Sequence, residues 1–185
     1  LAARALERLG HTDFMVEAGG EVRTRGSNAA GRPWQIAIER PDAVPQRAHF
    51  IAPLRDAGCR VSIFIAAYKR QSEAAARIGA AVVELHTGAY CDAHAEGHFD
   101  ARDAELERLG AMATYAHSLG LEVHAGHGLT YDTVKPVAAF PEIMELNIGH
   151  FLIGEAIFGG LDGTIRRMRA LMDRARADAH GDRSA

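Results

Sequence analysis

From about residue 58 the sequence alternates short β-branched runs with helical patterns, and this limits the chain to parallel strands joined by helical crossovers. Strands are predicted over 59–65, 81–86, 121–125 and 143–148. Helices are predicted over 72–78, 133–140, 151–158 and 164–176, with a long one between Asp100 as its cap and Gly120 as its stop. Leu106, Leu109, Ala113 and Ala116 fall on one face of that long helix. The stretch from Thr87 to Asp100 reads as a loop, and the polar tail 178–185 as frayed. The class is α/β, with four successive βα units, half the number of a (β/α)₈ barrel. A complete barrel takes about 250 residues. This chain has 185.

The first 45 residues break the rhythm. Residues 1–9 read as a helix, 14–18 and 21–25 as strands around Gly19-Gly20, 28–32 as a turn, and 33–41 as a strand ended by Pro41. Such hairpins do not belong to a βα repeat, so the chain divides into 1–45, 46–177 and the tail.

With 48% hydrophobic residues the chain can bury a sizeable core, which excludes general disorder. A net charge of −3 gives no electrostatic case for nucleic acid or an acidic membrane surface. No apolar run approaches the ~20 residues that span a bilayer, and no charged-then-apolar leader pattern opens the chain, so a cytoplasmic protein is expected. Cys59 and Cys91 are the two cysteines, neither in a CxxC, which argues against a disulfide framework. His86, Cys91, His94 and His98 have ligand-type side chains, but their spacing matches no standard zinc arrangement, and polar loop composition explains them more simply.

Ligands of parallel α/β folds sit at the C-terminal ends of the strands. Here those ends carry Glu84 and His86 on one face, then His127 between Gly126 and Gly128, then Gly149-His150 directly before a helix. Glycines near a helix start let the backbone approach an anion such as phosphate. A histidine titrating near neutrality beside it can donate a proton to a departing hydroxyl or phosphate. Each feature also has a plain structural explanation: a turn for the Gly-His steps, an ion pair for Glu84, a solvated helix face for the arginines of 166–176.

The segments Val83-Glu84-Leu85-His86-Thr87-Gly88-Ala89-Tyr90, Ala125-Gly126-His127-Gly128-Leu129-Thr130-Tyr131 and Glu145-Leu146-Asn147-Ile148-Gly149-His150 closely resemble pyridoxine 5′-phosphate synthases over about residues 48–177. The resemblance implies a TIM barrel that condenses 3-amino-2-oxopropyl phosphate with 1-deoxy-D-xylulose 5-phosphate in vitamin B6 biosynthesis, releasing phosphate and water. It implies no metal or organic cofactor. By it, His127 stands at the proton donor, Glu84 at the carboxylate that stabilises the transition state, and Gly128, Gly149 and His150 at positions that bind the amino-ketone phosphate. Ala66 departs from an acidic residue usual in that family. The family's Asn-x-Asp-His, His-x-Arg-Glu-Asp-Arg-Arg and Leu-Glu-Met-Ala segments, which supply its catalytic bases, do not occur in this sequence. Residues 1–45 instead resemble part of the FAD:protein FMN transferases, through 14–23 and 31–41, so the chain joins pieces of two families.

Three expectations follow: a synthase-like transferase, a half-barrel that binds phosphate esters without catalysis, or flavin binding by residues 1–45. An open sheet edge and apolar helix faces would favour homo-oligomers in each case.

Overall fold

The computed structural model describes residues 14–18, 21–25, 51, 54, 56 and 58–181. The chain divides into two units, Leu1–Arg47 and Ala48–Ala185. In the first, β1 (Phe14–Ala18) pairs antiparallel with β2 (Glu21–Arg25), from Phe14 opposite Arg25 to Ala18 opposite Glu21. This is the expected hairpin. The expected helix over 1–9, turn over 28–32 and strand over 33–41 lie outside the described residues.

The second unit runs β3 (Ser62–Ile65), α1 (Lys69–Arg77), β4 (Val82–His86), α2 (Gly88–Ala95), α3 (Phe99–Ser118), β5 (Glu122–Gly126), α4 (Val134–Ala138), β6 (Ile143–Asn147), α5 (His150–Gly159) and α6 (Leu161–Gly181). The four strands lie side by side in chain order, each parallel to the next. Every crossover is helical, so this is the α/β fold of part of a (β/α)₈-type barrel.

Alternation along the strands separates the two faces of the sheet. Ile65, Val83, Leu85, Val123 and Ala125 are buried with Leu109, Ala113 and Ala116 of α3, and Ile63 and Leu106 pack against that core. Alanines on the facing helix let it lie close to β-branched strand residues. The long helix ends at Gly120, whose φ of +81° allows the Gly120 amide to donate to His117 O and that of Leu121 to Ala116 O, closing the last turn.

The opposite face is polar. Phe64, Glu84, His124 and Glu145 are register partners in one row across the sheet, and His86, Gly126 and Asn147 form the next row toward the strand ends. The register of β6 shifts between Ile143 and Glu145, leaving Met144 as a bulge residue that keeps Glu145 and Asn147 in those rows.

Four expectations need correction. The stretch after Thr87 is a helix, α2, whose buried Gly88, Tyr90, Cys91 and Ala93 make no wide apolar stripe in sequence. Asp100 lies in the first turn of α3 and His98 is the cap residue, so the Asp100 carboxylate acts on the helix dipole and not as a cap. The first strand of the sheet begins at Ser62 and not at Cys59. Finally, α6 continues to Gly181, into the segment read as frayed, because its run of alanine and arginine favours helix. Among the described residues, no helix is long and apolar enough to cross a membrane.

Candidate functional site

The strand ends bring His86 and His127 into contact, with Phe64 beside them. His86, the last residue of β4, accepts a hydrogen bond at Nδ1 from the Gly88 amide at 3.2 Å, which suits a neutral ring with its proton on Nε2. The ring packs so closely over Gly88 that a Cβ there would sit 2.3 Å from His86 Cε1. His127 stacks on it, with centroids 4.6 Å apart and planes 27° apart, and Phe64 flanks both rings at 5.1 and 6.1 Å. His127 is exposed and has φ +79°, the only positive φ at a non-glycine among the described residues. Backbone strain of this kind persists where surrounding structure enforces it and gathers at functional sites.

Glu84 sits one row deeper. Its carboxyl meets the Asn147 side chain, which favours the ionised form, although β4 and β6 are separated by β5. The bridge passes over Gly126. A Cβ at that position would lie 2.4 Å from Glu84 Oε1 and 2.7 Å from the Asn147 carbonyl oxygen, so the missing side chain is what lets the two residues meet. Burial pushes the Glu84 carboxyl up from its ordinary value, and Glu145 adds to this; the Asn147 side chain and the His124 and His127 imidazoles pull it back down.

This shift has a sign that can be checked. A carboxyl raised in the folded state is harder to ionise there than in the unfolded chain, so its ionisation costs stability above the folded value. Glu84→Gln should therefore melt higher than the unsubstituted chain at neutral pH. The gap should close as pH falls below the ordinary carboxylate range, about 4.3, where Glu84 is protonated in both states. Melting curves across pH 3 to about 8 would show it; a variant less stable at neutral pH would contradict the account.

His124, beside Glu84 in the row, is committed elsewhere: its Nε2 lies 2.8 Å from Glu122 Oε1 and its Nδ1 3.6 Å from Glu145 Oε1. Glu122 also takes a hydrogen bond from Arg60, and these two donors, Arg60 foremost, hold its carboxyl down at about 2. The cluster fixes the floor of the polar face.

The anion-binding candidates lie on the neighbouring strand ends. Gly126 and Asn147 are register partners, so the turns through His127-Gly128 and Gly149-His150 leave adjacent strands. Tyr131 joins them, its ring meeting that of Phe151 edge-on at 4.8 Å while the Arg167 guanidinium lies over it, 4.0 Å from its centroid. Gly128 has φ +90°, and a Cβ there would be 3.1 Å from Cys91 Cβ, so glycine serves both the turn and its approach to α2. Gly149 caps α5 in open space, and His150 begins that helix, exposed. The short α5 precedes the longer α6 after β6, a place where barrels often carry an extra helix whose N-terminus completes a phosphate site.

The ligand-type residues of 86–98 disperse. Cys91 is buried against the Thr87 and Thr133 hydroxyls, His94 meets the Phe99 ring, and His98 pairs with Glu96. Ala66, at the departure from the family pattern, donates its amide to Gln71 Oε1 at 2.7 Å. Two contributors, Thr87 and Asn147, have no role assigned from sequence, and Gly126 enters there only as a glycine flanking His127. Their position at strand ends was the available signal, and their partners on other strands were not.

Four parallel βα units, a histidine and a carboxylate on the open strand ends, and a short helix opening beside them define part of a barrel-type scaffold with a polar strand-end site. Residues 39–174 match the family described as pyridoxal phosphate biosynthesis protein PdxJ, and the chain belongs to that family. Residues 1–63 match the ApbE family. The pyridoxine 5′-phosphate synthases of Roseobacter denitrificans and Ruegeria pomeroyi are each 78% identical to it over 130 residues, covering 70% of this chain and 52% of the relative. That of Xanthobacter autotrophicus is 60% identical over 147 residues, 78% of this chain and 57% of the relative. The chain thus spans about half the length of the curated relatives it matches.

Proposed function

We propose that the second unit is the phosphate-holding and proton-donating part of a pyridoxine 5′-phosphate synthase, working in vitamin B6 biosynthesis on 3-amino-2-oxopropyl phosphate and 1-deoxy-D-xylulose 5-phosphate. The observation that supports this most is His127, strained, exposed and stacked on His86, at the same strand ends as Glu84. In this reading His127 gives a proton to the oxygen leaving during ring closure, so that the departing group is neutralised as its bond breaks. The Glu84 carboxylate faces the positive charge that develops on the condensing nitrogen. Gly128 and Gly149 let the backbone approach the amino-ketone phosphate, with the first amides of α5 and the His150 ring completing its cradle.

A second reading, binding of phosphate esters without turnover, requires only the turns through His127-Gly128 and Gly149-His150 on adjacent strands. Titration calorimetry with a phosphorylated three-carbon ketone, beside an assay for pyridoxine 5′-phosphate from both substrates, separates the two. Heat with product supports the enzyme, heat without product the binder, and no heat defeats both. The ApbE match falls on residues 1–63, ahead of every site residue named in this reading.

A further inference from the structure

Thr87 is the residue between β4 and α2, where a threonine ordinarily turns its oxygen toward an amide of the first helical turn. It makes no such bond. The Gly88 amide goes to His86 instead, and the Thr87 hydroxyl reaches the next strand, 2.8 Å from the Gly126 carbonyl oxygen and 2.6 Å from that of His127. The Thr87 amide also donates to the Gly126 oxygen at 2.8 Å. A hydroxyl has one proton to donate. Since the amide already serves Gly126, the shorter contact, to His127, is what the hydroxyl adds. Thr87 is fully buried, so water does not compete for it.

We propose that Thr87 is a positioning residue for His127: its hydroxyl anchors the carbonyl of that left-handed residue and so sets the ring against His86. The proposal rests on reading His127 as the proton donor. It makes the otherwise unfavourable backbone of His127 a supported feature, held from the neighbouring strand by a group that has given up its usual capping role. The side chain's shape and its hydroxyl can be separated, because valine keeps the shape and loses the hydrogen bond, while serine does the reverse.

The test uses the full chain, with NMR contacts between the His86 and His127 rings and titration with inorganic phosphate. Thr87→Val should lose the ring-to-ring contacts and bind phosphate about five-fold more weakly, the factor that one net hydrogen bond is worth. Thr87→Ser should keep both. A folded Thr87→Val with unchanged ring contacts overturns the proposal. If the unsubstituted chain binds no phosphate, the functional reading fails while the ring contacts still decide the role of Thr87. Should Thr87→Val not fold, it is combined with His127→Gly, since glycine adopts a positive φ freely. Recovery of folding in that pair supports the proposal, and failure in both backgrounds overturns it.

Discussion

His127→Ala should lower the rate of pyridoxine 5′-phosphate formation by about 10²- to 10⁴-fold, the range for loss of a positioned general acid. The ring is exposed, so its removal takes little from the core and the variant should stay folded. It makes contacts with His86 and Phe64 that alanine cannot replace, but these lie on the open face of the sheet. The rate loss should therefore appear in kcat, with melting temperature nearly unchanged. Turnover by His127→Ala equal to that of the unsubstituted chain would remove the proposed role from this residue.

Gly126→Ala should be the most damaging small substitution in the sheet. The added Cβ would stand 2.4 Å from Glu84 Oε1, 2.7 Å from the Asn147 carbonyl oxygen and 3.0 Å from Asn147 Cβ. A carboxylate can swing away, but the carbonyl belongs to the paired strand and cannot retreat without opening the β5 to β6 register. The expected cost is about 1–3 kcal/mol. For a chain of this size each kcal/mol lowers the melting temperature by about 2–4 °C. The Glu84 to Asn147 bridge should be lost with it, detaching the carboxylate from its support. Gly154→Ala is the control, since Gly154 lies within α5 with nothing within 4 Å of an added Cβ. There alanine should stabilise slightly by restricting the unfolded chain. Equal melting of Gly126→Ala and the unsubstituted chain would show that the bridge has more room than the geometry gives it.

The strands were legible because short apolar runs with β-branched residues are a local signal, and Ile63, Ile65, Val83, Leu85, Val123 and Ala125 alternate within them. Gly120 was legible for a similar reason, as a helix stop whose positive φ is written in the residue type. Helix α2 was not. Its residues, rich in alanine with histidine, cysteine and aspartate between, show no apolar face from which a helix could be read, and burial comes from contacts with α3 and the Thr133 region. The bulge at Met144 was equally hidden, since register depends on the partner strand.

At the site, the position of Glu84, His127, Gly128, Gly149 and His150 at or just beyond strand ends was legible in the sequence, while what each does there was not. The supporting residues are set by cross-strand geometry. Asn147 reaches Glu84 because Gly126 leaves a gap, and Thr87 reaches His127 because parallel pairing brings two turns side by side. Neither relation is a spacing in the chain.

The central claim is that the turns after β5 and β6 form one phosphate site. Adding inorganic phosphate to the isotopically labelled chain while following backbone amide resonances tests it most directly. The account predicts saturable shifts of the Gly128, Gly149 and His150 amides with one common affinity. Absence of shifts at these amides, or saturable shifts confined to another part of the unit, would contradict it.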